Sequence, residues 1–323
     1  MKKPIYVLGI DIGATHSSIG IVSSKGEILS TEIIPSRALE LKLPERLLAE
    51  AEKVMAKFQK TRKKLAGIAI GSPGIVDFNN GIVIAAGNLP ELFGAPLGKI
   101  FQEKFNLPVM VENDVNALAM GEMLFGVAKG QKNFVVFALG TDLGGGIVIN
   151  GKLYRGAHFI ASEFGHLTLD PEGKRCVCGG YGCAREYVSG QGLAEKGREE
   201  LSGDCLALKL VNGEREKLSA KEIFSAWKKG DIFAEKLIEE FGKRFGALIA
   251  NVMKVLDPEL VVLAGEVCRQ EPEIVNLAVR WTRHYYFPIP SLPEFRLSKF
   301  SKEETILGPI AVFLVEKGFF PEK

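Results

Sequence analysis

Two stretches of the chain share one pattern of apolar and polar positions. IYVLGIDIGATHSSIGIV at 5–22 and NFVVFALGTDLGGGIVIN at 133–150 each pass from a β-branched apolar segment, through a Gly/Thr/Asp turn, into a second apolar segment. The pattern predicts strand, turn and strand in both places. LPERLLAEAEKVMAKFQK then carries apolar residues at helical spacing with Pro44 near its start, and LAGIAIGSPG reads as a short buried strand ending in a turn. Further on, LPVMVEN passes from a strand into the helix VNALAMGEMLF. Helix-forming sequence dominates after Glu186; its longest segment runs from about Asp231 to Leu256 and is followed by Pro258 and the strand ELVVLAG. Strands alternating with helices imply an α/β architecture, and the repeated opening points to two related halves. The first half ends near Asn116 on this reading, with the helix there as a hinge, which gives domains of 1–116 and 117 onward.

Composition narrows the class. The 323 residues are 46% hydrophobic and 25% charged, which is globular stock, and the length favours two domains. With 41 basic against 39 acidic side chains the net charge is +2, so no polyanionic partner is expected, and the run Lys60, Arg62, Lys63, Lys64 reads as a solvated helix end. The apolar start of the chain is interrupted by Asp11 before a signal-peptide core forms, and no stretch approaches the length of a membrane span. A cytoplasmic protein without membrane or nucleic-acid partners is expected. Its five cysteines, an odd number, are expected to stay reduced.

Neither the Walker pattern nor the dinucleotide G-x-G-x-x-G occurs. The turns Asp11–Thr15 and Gly140–Gly146 offer another phosphate cradle: glycines let backbone N–H groups approach phosphate oxygens, threonine hydroxyls add donors, and Asp11 can orient a hydrated Mg²⁺. The same residues also suit plain hairpin turns, with Asp and Thr bonding their own backbone. Asn113 and Asp114 stand where a strand ends and a helix begins. That is a place for a catalytic carboxylate in an open α/β sheet, and equally for a helix cap.

Cys176, Cys178 and Cys183 form C-x-C-x₄-C, with His166 ten positions upstream of the first thiol. Three thiols and an imidazole complete a Cys₃His set for structural zinc, and Gly179, Gly180 and Gly182 supply the tight turns that wrap an ion. Cys205 and Cys268 have no such company. Glu163, three residues before His166, and Glu186, three after Cys183, are then pinned by the metal loop as acceptors for the hydroxyls of a polyol. Their alternative is a pair of exposed loop glutamates.

At these residues the chain resembles the ROK family of sugar kinases and sugar-responsive repressors. DIGATHSSIGIV resembles its first phosphate loop, GSPGIVD and AAGNLP its sugar-side loops, ENDVNALAMGE its catalytic segment, GTDLGGGIVINGKLYRG its second phosphate loop, and EFGH with CVCGGYGCARE its sugar-and-zinc signature. The resemblance implies a two-lobed actin-like (ribonuclease H-like) α/β fold with an interlobe cleft. The small lobe, 1–116, is completed by a C-terminal helix at about 305–323, and the large lobe, 117–304, carries the zinc loop. It further implies an ATP-dependent kinase acting on the 6-hydroxyl of a hexose, glucose first, with N-acetylmannosamine, N-acetylglucosamine or another hexose as alternatives. Asp114 becomes the general base. Asn88, Asn113, Asp114, Glu163, His166 and Glu186 bind the sugar; Asp11, Gly13, Thr15, Gly140, Thr141 and Gly265 face ATP and Mg²⁺; and His166, Cys176, Cys178 and Cys183 hold Zn²⁺. A homodimer is expected. His16 stands where many members have lysine, and Ala264-Gly265-Glu266 has one glycine where relatives often have two or three. The family's repressors carry a winged-helix segment ahead of the kinase-like body, whereas here the first phosphate loop begins at Asp11, so a kinase is expected. A non-catalytic sugar-sensing regulator is the alternative of a different class.

Overall fold

The computed structural model describes residues 4–37, 41–201, 205–288 and 290–320. The first sheet is built from β1 (Tyr6–Ile12), β2 (His16–Ser23), β3 (Ile28–Pro35), β4 (Leu65–Ser72) and, beyond the short ribbon β5 (Ile75–Asp77) and β6 (Ile82–Ala85), β7 (Val109–Asn113). Its strand order is β3-β2-β1-β4-β7. β1 pairs antiparallel with β2 and parallel with β4, and β4 pairs parallel with β7. The central strand β1 is covered on both faces, and Val7, Leu8, Ile10 and Ile12 are fully buried, which is why its sequence is apolar without alternation. Edge strand β3 is only half-buried.

The second sheet follows the same plan. Strands β8 (Phe134–Leu139), β9 (Leu143–Ile149), β10 (Lys152–Leu153), β11 (Leu260–Ala264) and β12 (Glu294–Leu297) are ordered β10-β9-β8-β11-β12, with β11 parallel to both β8 and β12. In each sheet, three strands consecutive in sequence are followed by two that enter after helical connections. The two halves suggested by the repeated sequence pattern are therefore repeated in topology.

Helix α1 (Leu43–Gln59) buries Leu43, Leu47, Ala51, Val54 and Phe58, a stripe at three- and four-residue spacing, and Pro44 sits in its first turn, where a missing N–H costs nothing. Helix α2 (Leu97–Phe105) ends at Asn106, which takes the left-handed conformation of a helix stop. Helix α3 (Asp114–Leu124) starts directly from β7. The long helix Ile232–Leu256 is capped by Asp231, whose carboxylate accepts from Ala234 N at 2.8 Å, and ends at Asp257 in the left-handed region, just before Pro258. No described helix is long and apolar enough to cross a membrane.

By internal contacts the chain forms two compact units, one of residues 1–132, 146–162 and 299–323, the other of 133–145 and 163–298. The core of the first gathers β1, β2, β4, α1 and α2 around Phe101, Ile10 and Leu8. The helix Leu307–Glu316 belongs to it, and every residue from Leu307 to Leu314 is buried, so this helix is apolar all round. It meets α3 backbone to backbone. A Cβ on Gly308 would fall 2.8 Å from the carbonyl carbon of Ala117 and 2.9 Å from its oxygen, and one on Gly121 would fall 3.0 Å from the Gly308 Cα. Those neighbours are main-chain atoms that cannot swing aside. Gly308→Ala is therefore expected to destabilise the protein by about 1–3 kcal/mol, measured by chemical unfolding; an unchanged midpoint would refute the close approach.

Candidate active site

In the first unit the candidate residues collect at the carboxyl ends of three parallel strands. The register runs Asp11↔Gly71 between β1 and β4, and Gly71↔Glu112 and Ser72↔Asn113 between β4 and β7. Gly71 leaves the room this requires, since a Cβ there would stand 3.1 Å from Asp11 Oδ1 and 3.7 Å from the Asp114 Cα. Asp11 and the start of α3 thus lie one strand apart. Asn113 caps α3, its Oδ1 accepting from the N–H groups of Val115 and Asn116, both at 2.9 Å, while its Nδ2 donates to Gly74 O at 3.0 Å. Asp114 occupies the first helical turn, where the helix N-terminus favours a negative charge, and its Oδ1 accepts from Val115 N at 2.9 Å.

Gly74 connects this corner to the loop before Asn88. Its φ is +87°, and a Cβ would fall 1.9 Å from Ala85 O, so only glycine fits. Asn88 is half-buried, and its carbonyl accepts from Arg37 Nη2 at 2.8 Å. The Gly13–Thr15 turn is tied to the end of β3: Ser36 Oγ donates to Gly13 O at 2.6 Å, and Ser36 N donates to Thr15 O at 2.8 Å. The Thr15 and His16 side chains are exposed. The expected hairpin turn is present, and it is braced from outside.

In the second unit the candidates form two neighbouring groups. Gly140 and Thr141 follow β8, and Gly265 follows β11, whose Ala264 pairs with Ala138. Gly265 has φ +93° and would place a Cβ 2.3 Å from Leu139 O, so the two strand ends cross at main-chain contact. The turn is held by Gly190 N donating to Gly140 O at 2.8 Å and Gln191 N donating to Thr141 O at 3.1 Å, at the start of helix Gly190–Glu200.

The other group surrounds the thiols. The donor atoms of His166, Cys176, Cys178 and Cys183 all lie within 4.8 Å of one another, with His166 Nδ1 to Cys176 Sγ and Cys178 Sγ to Cys183 Sγ both at 3.6 Å. Ligands of a tetrahedral zinc ion with Zn–S near 2.3 Å stand about 3.8 Å apart, so this set fits such an ion. Gly182 permits the wrap, with φ +59° and a would-be Cβ 1.5 Å from Asp170 O. Glu186 stands against the Cys176 thiol and within electrostatic reach of His166. Glu163 is half-buried; burial, then the charge of Asp142, push its carboxyl above the usual range. Burial lowers the His166 imidazole. Cys268 is apart from this set and buried, its thiol pushed up to about 12 by desolvation.

Arg185 belongs with these residues although no sequence motif marks it. It is 7% exposed, and its Nε lies 2.9 Å from Asp142 Oδ1, which ties the cysteine loop to the Gly140–Asp142 turn. In sequence it reads as one more surface cation.

Burial raises the Asp11 carboxyl from 3.8 to about 6, against a smaller lowering by a hydrogen bond with Thr305. An acid whose folded pKa exceeds its unfolded one favours the fold below the unfolded value and loses that contribution as pH rises through the folded value. Asp11→Asn is therefore expected to be more stable than the parent at pH 7.5 by about 1–2 kcal/mol, allowing for the solvent access Asp11 retains, and equal to it below about pH 4. Thermal unfolding across pH checks this. A constant difference between the two proteins would contradict it.

Residues 7–316 match the ROK family. A glucokinase of Halalkalibacterium halodurans is 31% identical over 308 residues, 94% of this chain and 93% of its own. A xylose repressor of Caldicellulosiruptor bescii is 30% identical over 326 residues, 98% of this chain and 80% of its own. The crystal structure of a ROK family glucokinase from Streptomyces griseus in complex with glucose and AMPPNP is similar with a TM-score of 0.80 at 28% identity, covering 98% of this chain and 100% of that one. A family match over nearly the whole length, together with the two sheets of like topology, shows that the chain belongs to the ROK family and has its two-lobed, actin-like sugar-kinase fold.

Proposed function

We propose that the protein is an ATP-dependent hexokinase that transfers the γ-phosphoryl group to the 6-hydroxyl of glucose. The observation that carries this reading is the row Asp11, Gly71, Glu112 at the carboxyl ends of β1, β4 and β7, which sets Asp114 one strand from Asp11. A sugar hydroxyl is a poor nucleophile at neutral pH, so a fixed carboxylate has to accept its proton. Asp114 takes that role. Asn113, Asn88, Glu163, His166 and Glu186 hold the sugar, and the half-buried carboxylate of Glu163 is an acceptor for a hydroxyl. Backbone donors of the Gly13–Thr15 and Gly140–Thr141 turns and of Gly265 bind the nucleotide. Asp11 would orient the Mg²⁺ that accompanies ATP, an ion that would supply positive charge beside the transferred group. His166, Cys176, Cys178 and Cys183 hold a structural zinc ion that closes the loop carrying Glu186. The glucokinases at about 30% identity favour glucose over the acetamido sugars.

The similarity to a xylose repressor over 98% of the chain favours a second reading, a sugar-binding regulator without catalysis. Release of ADP on adding sugar separates the two. Over a panel of hexoses, glucose is expected to give the highest kcat/KM, and sugar binding without ADP release would establish the regulator instead.

Asp114→Asn is expected to lower kcat by about 10²–10⁴-fold while KM for glucose stays within several-fold. Near-normal turnover would remove Asp114 from the chemistry. Elemental analysis is expected to find about one zinc per chain, and stripping it with a chelator is expected to lower the unfolding midpoint and raise the sugar KM. A metal-free protein with unchanged midpoint and KM would exclude the ion.

A further inference from the structure

Glu112 is the residue before Asn113, and it is 2% exposed. An ionised carboxylate taken out of water costs several kcal/mol unless its oxygens are matched by donors. Both oxygens of Glu112 are matched, and these partners offset part of the burial that pushes its carboxyl above the usual range. Oε2 accepts from Arg155 Nε at 2.6 Å, and Oε1 accepts from the Asn113 N–H at 2.9 Å and from Asn116 Nδ2 at 3.2 Å. Arg155 is itself fixed, donating from Nη2 to Glu316 Oε1 at 2.8 Å and lying 3.8 Å over the ring of Phe78. The network continues in the other direction. Asn116 Oδ1 accepts from Ser162 Oγ at 3.1 Å, and Ser162, a non-glycine residue held at φ +69°, is peptide-bonded to Glu163.

Glu112, Arg155, Asn116 and Ser162 take no part in the proposed chemistry. An apolar side chain in place of Glu112 would pack as well, yet would leave the Asn113 N–H, the Asn116 amide and the Arg155 guanidinium without their acceptor. The carboxylate touches the main chain of the residue before Asp114 and the side chain of the residue two after it. We propose that Glu112, clamped by Arg155, is a positioning residue that sets the orientation of Asp114, and that the same network, through Asn116 and Ser162, fixes the backbone entering Glu163. This rests on the reading of Asp114 as general base. The charge is kept buried because it fixes a geometry, a use for which buried ion pairs are better suited than for stability.

Glu112→Gln keeps the volume and removes the charge. It is expected to lower kcat by about 10–100-fold with both KM values within about threefold, because a base displaced by a fraction of an ångström loses turnover before it loses binding. Arg155→Met is expected to do the same, and the double variant to be no worse than either single one, since the pair acts as a unit. Wild-type kcat in Glu112→Gln, a loss confined to KM, or losses that multiply in the double variant would overturn the proposal. If Glu112→Gln fails to fold, Arg155→Lys, which keeps the charge but not the planar fork, is expected to show the same fall in kcat at constant KM, and wild-type kcat there would likewise overturn it. If the wild-type protein phosphorylates no hexose, the kinase reading fails. The positioning claim is then decided by hydrogen exchange at the amides of residues 113–116, where faster exchange in the folded variant supports it and unchanged exchange overturns it.

Discussion

The parallel register of β1, β4 and β7 is the constraint on which the placement of the first unit's candidate residues depends. Side chains alternate across a strand, so a slip of one residue would turn Asp11 or Glu112 to the opposite face. Several features hold the register. The core strands are buried on both faces, Gly71 admits the Asp11 carboxylate beside the start of α3, and the Asn113 cap fixes where β7 stops and the helix begins. Asn113 shows that two readings of one residue need not exclude each other. It is a helix cap in full, and the cap is what presents the next residue, Asp114, in the first turn.

The second unit reaches rigidity by other means. Its candidate residues lie on loops, and loops that must hold a geometry need bracing. Main-chain contact at Gly265 and Leu139, the start of helix Gly190–Glu200 under the Gly140–Thr141 turn, and the Arg185–Asp142 pair supply it for one loop. The four clustered donors supply it for the other. Because Arg185 sits two residues after Cys183 and its partner Asp142 lies in the turn, the two loops do not move independently.

Much of the architecture was legible where local pattern and tertiary demand agree. The strand–turn–strand openings at 5–22 and 133–150, the amphipathic stripe of α1 and the Asp231 cap of the long helix each carry their signal within a few residues. The thiol cluster was legible for the same reason, all four donors falling within one short stretch. The ribbon β5–β6, of three and four residues, is too short for a period to show. The buried partnerships of Arg155, Ser162 and Arg185 were not legible. Arg155 finds Glu112 across 43 positions and Ser162 finds Asn116 across 46, and nothing in a single sequence marks such partners. Charged residues are exposed by default, so a buried one looks ordinary until its surroundings are known.

The burial of Leu307–Leu314 against α3 and β4 has a bearing on how the chain is made. About 300 residues of chain separate β1 of the first unit from the fully apolar helix of the same unit, so the strand is synthesised long before the helix that packs on it. At the usual pace of translation that delay is on the order of ten seconds or more. Until that helix is made, the apolar surface it covers in the folded unit lacks that cover, and apolar surface left open in this way favours aggregation of incomplete chains.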